Sequence, residues 1–129
     1  MQTLVNILLA VALLPLMLSF LGGYYRAKHF GKADNNHPRG QAVELTGAGA
    51  RAYAAQSNAW EALALFTAAL LAANLLGVAA DALIMPAYIF LACRILHPIL
   101  YIADIGALRS LVWIVGTGAC IWIFRLGFV

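Results

Sequence analysis

Four stretches of this chain are nearly free of charge, and each approaches the ~20 residues a helix needs to cross hydrocarbon. The first runs from about Leu4 to Tyr25 (LVNILLAVALLPLMLSFLGGYY) and the second from about Asn58 to Ala80. The third covers about Ala82 to Ala103, and the fourth about Leu108 to Phe124. The pattern predicts an all-α membrane protein, a bundle of four transmembrane helices in a single domain spanning residues 1–129. Residues 26–50 form the one long polar segment, and KADNNHPRG (Lys32 to Gly40) reads as a loop by its Asn, Pro and Gly content. The second helix is expected to start near Gln41, to run its first turns outside the hydrocarbon and to enter it around Asn58. Short turns are expected at LLGVAAD, ending at Asp81, and at Asp104–Gly106. Pro15, Pro86 and Pro98 lie within spans, where neighbouring helices can absorb the broken backbone bonding.

Composition agrees with this reading and excludes an aqueous fold. Hydrophobic residues make up 64% of the chain and charged residues 10%, whereas a soluble domain is about half apolar and a quarter charged. No positive residue precedes the first apolar run and no small-x-small site follows it, so a retained span is expected rather than a cleaved signal peptide. Arg26, Lys28, Lys32, Arg39 and Arg51 all fall between the first two spans. The positive-inside rule therefore makes the first loop cytoplasmic and both termini outward-facing. Net charge is +3, with no basic tract interleaved with aromatics, so nucleic acid is not an expected partner. Cys93 and Cys120 sit inside apolar stretches and read as buried thiols. No spacing suits a zinc site, a phosphate-cradling glycine loop or a Ser-His-Asp set.

The informative residues are the polar ones inside the spans. The third span carries Arg94, His97 and Tyr101, with Asp104 at its end. At ~100° per residue these project within a stripe about 80° wide. The second helix carries Arg51, Asn58 and Glu61, again within about 80°. Two such stripes are expected to face each other or a shared cavity. On the structural reading, Arg94 pairs with Glu61 and nothing binds; Pro98 would then free the Arg94 carbonyl by removing its helical donor. Against it stands the excess of Arg51, Arg94 and Arg109 over Glu61, which an anionic ligand would satisfy through bidentate guanidinium bonds. Asp104 reads equally as a helix cap or as a counter-ion to Arg109. His29 and His37 belong to the solvated loop, and Trp60, Trp113 and Trp122 to interfaces or lipid. Ala64, Ala68 and Ala72 recur every four residues, as do Ala69 and Ala73, with Gly116 and Cys120 a weaker version. That spacing predicts close helix packing within the bundle or between subunits.

The segment from Arg51 through Asn58 to Glu61 resembles the second-helix motif of the MAPEG family, whose core is Asn-x-x-Glu. These are the membrane-associated proteins in eicosanoid and glutathione metabolism. Arg94-Ile-Leu-His97-Pro-Ile-Leu-Tyr101 resembles the family's third-helix motif, and Leu108-Arg109-Ser110 the start of its fourth helix. The resemblance, to the bacterial branch, covers nearly the whole chain. It implies a homotrimer in a bacterial inner membrane, with glutathione bound between subunits near the cytoplasmic face. Carried over by position, Arg26, Arg51, Asn58, Glu61, Arg94, His97 and Tyr101 would bind glutathione, with Arg109 near its sulfur and Ser110 beside it. The chain departs from the catalytic members at Ala54 and Ser57, where they usually carry arginine.

Two functions follow as expectations. One is a glutathione-dependent transferase or peroxidase acting on a lipophilic small molecule that arrives through the membrane lipid. The other is a non-catalytic protein of the same fold that binds lipid or glutathione. A transporter would need polar groups at several depths, and the polar residues here cluster toward one leaflet.

Overall fold

The computed structural model describes residues 1–128 and is built from five helices: α1 (Gln2–Phe30), α2 (Pro38–Glu44), α3 (Gly47–Leu75), α4 (Ala80–Ile102) and α5 (Gly106–Leu126). All but α2 are long and apolar enough to cross a membrane. No strand occurs among the described residues.

The first helix continues past the expected end at Tyr25 and carries Arg26, Lys28 and His29 in its last turns. It stops at Gly31, whose φ of 76° is a left-handed conformation that favours glycine. The polar segment then folds on itself: Asp34 Oδ1 accepts from the backbone N–H groups of Asn36 and His37. The second expected helix is in fact two. Pro38 opens α2, a position where its missing N–H costs nothing, and the chain then turns extended at Leu45 before α3 begins. Leu45 is buried and stands against Gly49, fastening the break to the bundle.

Helices α1 and α3 pack closely because Gly22 has no side chain: a Cβ there would lie 2.7 Å from the Tyr53 ring. Beneath that contact the core runs through Val11, Phe66, Phe90, Cys120 and Ile123. Phe66 and Phe90 stack with centroids 4.4 Å apart, joining α3 to α4 at the centre. The outer faces are as apolar as the core, with Leu9, Phe20, Leu71, Met85, Ile99 and all three tryptophans exposed. A surface of that kind suits acyl chains. The alanine rows divide: Ala69 and Ala73 are buried in the core, whereas Ala64 and Ala68 face outward.

Turns at the two ends of α4 set its position. Gly77, at φ 73°, serves the turn before it. Asp104 serves the turn after it and takes the same left-handed region at φ 63°, with Ile105 N–H closing onto the Leu100 carbonyl. That is the bonding of a Schellman cap, with aspartate where glycine is usual.

Candidate functional site

Arg94, His97 and Arg26 are the buried polar residues of the described chain. The 3-4-3 spacing on α4 explains two of them, because it turns Arg94 and His97 inward on the same face. Burying a guanidinium at this depth costs a few kcal/mol, and the bundle offsets part of it with neutral acceptors. Arg94 Nη1 donates to Asn58 Oδ1 on α3 (3.2 Å), and Nη2 donates to the Trp113 carbonyl on α5 (3.4 Å). Its Cζ also lies 5.0 Å from the Phe90 ring centroid, within cation–π range. The expected alternative, pairing with Glu61, is not what the structure shows. Arg51 reaches Ile102 while Asn58 reaches Arg94, and this antiparallel register leaves Glu61 level with Leu91, a turn beyond Arg94. Glu61 is exposed on the outside of α3, without an ion pair among the described residues.

The Arg94 charge consequently has no carboxylate partner among the described residues, and its Nε is buried with no hydrogen bond. Room for the guanidinium comes from Gly116 on α5: a Cβ there would sit 2.6 Å from Nη2 and 3.2 Å from Nε. In the sequence Gly116 reads only as a packing residue, and its small size is the available signal.

Beside this brace, His97 meets Tyr101 edge-on with centroids 5.6 Å apart. The Arg109 guanidinium lies over the Tyr101 ring at 4.3 Å, so the turn at Asp104 brings the start of α5 back across the end of α4. Asn58, His97, Tyr101, Arg109 and Ser110 together line a cavity of about 350 Å³, with Trp113 and Ile114 as its apolar wall. The structure thus gathers Asn58, Arg94, His97, Tyr101, Arg109 and Ser110 in one place. Arg109 is the guanidinium that faces the opening.

The other arginines singled out in the sequence are held by the protein itself. Arg51 Nε donates to the Ile102 carbonyl (3.1 Å) and Nη1 lies 3.7 Å from Asp104 Oδ2, so Asp104 faces Arg51 rather than Arg109. Arg26 is buried, and its Nη1 donates to the Asp34 carbonyl (2.9 Å) and to Gln41 Oε1 (3.3 Å). Gln41 also accepts from Asp34 N–H and donates to the Lys32 carbonyl, which makes it the stitch of the polar loop. No motif in the sequence pointed to that role. The exposed Asp34 carboxylate has its pKa held below the usual value, first by the Asn36 and His37 N–H groups and then by the His37 ring, 3.2 Å away.

The donor set of the cavity fits an anionic guest with an apolar part. It offers one accessible guanidinium, a phenol, a hydroxyl, an imidazole and an amide beside two apolar side chains. No curated protein and no solved structure matches the chain. The sequence model described as the MAPEG family matches residues 4–129, over all four apolar helices and every residue of the cavity. An integral membrane protein of four spanning helices, this chain belongs to the MAPEG family.

Proposed function

We propose that the chain binds glutathione at the Arg109 cavity, between neighbouring copies in a homotrimer, and directs its thiol at a lipophilic electrophile or hydroperoxide. The observation that carries this reading is the convergence of Arg109, Tyr101, His97, Ser110 and Asn58 on one cavity beside an arginine with no counter-ion among the described residues. Glutathione brings two carboxylates, an ammonium and a thiol. One subunit turns one guanidinium to the cavity and leaves Glu61 exposed on its outer surface, without an ion pair among the described residues. A site shared between copies would pair Glu61 with the ammonium and bring further cations to the two carboxylates, leaving Arg109 for the sulfur.

When bound, glutathione supplies a thiolate as nucleophile. The protein's part is to favour that charge state and to exclude water. Arg109, held over Tyr101, places positive charge where the sulfur's charge develops, which lowers a thiol's pKa. Ser110 supplies a hydroxyl donor one residue further on. Asn58, fixed by Arg94, presents its amide without needing to reorganise. Trp113 and Ile114 open the apolar side of the cavity, through which an acceptor dissolved in the acyl region can approach. On this reading the site lies at the cytoplasmic leaflet of a bacterial inner membrane with both termini periplasmic, an orientation that the basic first loop supports.

Detergent-purified protein assayed with glutathione and a chlorodinitrobenzene electrophile tests the proposal. Turnover is expected; neither turnover nor a thermal shift at millimolar glutathione would refute it. A second reading, a non-catalytic binder of lipid or glutathione, draws support from Ala54 and Ser57 and from the engagement of Arg51 by Asp104. Lipid that co-purifies with a protein lacking thiol chemistry would favour it.

A further inference from the structure

Behind the cavity lies a second, largely enclosed space between α1, α3 and α4. It leaves about 10 Å³ for the centre of a water molecule, enough for one water and too little for any organic ligand. Most of its wall is apolar, including Val11 and Ala55, but Asn58, Arg94, His97 and Pro98 also line it. Asn58 and His97 line the outer cavity as well, so they form the partition between the two spaces.

The polar residues that line the inner space are short of partners. Pro98 has no N–H, so the Arg94 carbonyl, four residues earlier, loses its helical donor. Among the described residues no hydrogen bond reaches the His97 ring, although His97 is only 5% exposed. Asn58 uses its Oδ1 on Arg94, which leaves its amide N–H groups to be satisfied. The residues that line this water-sized space thus carry a carbonyl acceptor, an imidazole and an amide donor, a set that matches the two to four polar partners of internal waters.

We propose that this inner space is a specific binding site for a single water molecule, bridging the Arg94 carbonyl, the Asn58 amide and one ring nitrogen of His97. The water fixes which His97 nitrogen is turned inward and presents the other to the outer cavity. Having one O–H and one lone pair left for the ring, the water serves either tautomer of His97 and keeps the other nitrogen available to the outer cavity, whatever ligand that cavity takes. The site exists because proline at position 98 removes a backbone donor next to a buried histidine.

A crystal structure of the full chain, at a resolution that orders internal waters elsewhere in the bundle, tests this directly. A density peak within hydrogen-bonding distance of all three groups is expected. Ordered waters elsewhere with none in this space would overturn the proposal. Thermal melts of Ala55→Ser and Ala55→Cys supply a second, independent readout, since the two side chains are close in size and both fill the space. The serine hydroxyl takes over the water's hydrogen bonds and the thiol does so poorly, so the serine variant is expected to melt higher. A cysteine variant melting at or above the serine variant would mean that the space is dry, and the proposal would fail.

Discussion

Gly116→Ala is the sharpest single perturbation of the Arg94 brace. The new Cβ would stand 2.6 Å from Arg94 Nη2, 3.1 Å from Cys93 Cβ and 3.2 Å from Arg94 Nε, so something must move. The guanidinium is the end of a flexible chain and can withdraw, but only by releasing the Trp113 carbonyl and the Asn58 amide. Interhelical polar bonds in membrane bundles are worth ~0.6–1.7 kcal/mol each, which puts the loss of both at roughly 1–3 kcal/mol. Alanine in place of glycine inside a helix returns up to about 1 kcal/mol. A net destabilisation on the order of 1–2 kcal/mol is predicted, read as a lowered Tm in detergent. Freed from Arg94, Asn58 would no longer be oriented toward the cavity, so glutathione affinity should fall about tenfold, the equivalent of ~1.4 kcal/mol. Gly118→Ala is the control, because a Cβ at that position meets nothing within 4 Å. Indistinguishable melting and binding of the two variants would refute the brace.

Three further outcomes are expected. Arg109→Ala should lower turnover at saturating glutathione more than it weakens binding, since its charge is needed most where the sulfur becomes anionic; equal losses in both would contradict that role. Glu61→Gln should weaken glutathione binding yet leave the Tm of the protein close to wild type, because Glu61 makes no ion pair among the described residues; a large drop in Tm would show that Glu61 balances a buried charge after all. Asp34 has a depressed pKa, so its ties to Asn36 and His37 contribute order to the loop above about pH 4, the ordinary aspartate range, and that order is lost as pH falls through the lower folded-state value. Amide exchange or limited proteolysis across residues 31–46 should accelerate only under acid, and equal protection of Asp34→Asn and wild type at neutral pH would count against it.

Much of the architecture was legible in the sequence because membrane helices advertise themselves by length and by lack of charge. The face of α4 was legible too, since the spacing from Arg94 to His97 to Tyr101 fixes their common direction irrespective of neighbours. What could not be read was the register between α3 and α4. Arg51, Asn58 and Glu61 share a stripe on one helix, but which of them meets Arg94 depends on how far the helices slide past each other. A displacement of one turn exchanges Glu61 for Asn58 and turns an expected salt bridge into a neutral hydrogen bond. The break at Leu45 lay beyond sequence patterning for a related reason. Pro38 announces a helix start, but the extended conformation of Leu45 is held by its burial beside Gly49, a tertiary contact. Arg26 and Arg51 looked identical to Arg94 and Arg109 as cations. The loop carbonyl, Gln41 and Asp104 that engage them come from elsewhere in the chain.

The claim on which the functional account depends is that the Arg109 cavity holds glutathione. Calorimetric titration of the detergent-solubilised protein with glutathione, repeated on Arg109→Ala, tests it most directly. Saturable binding that weakens at least several-fold in the variant is the predicted result. No measurable heat at millimolar glutathione, or an isotherm unchanged by the loss of Arg109, would contradict it.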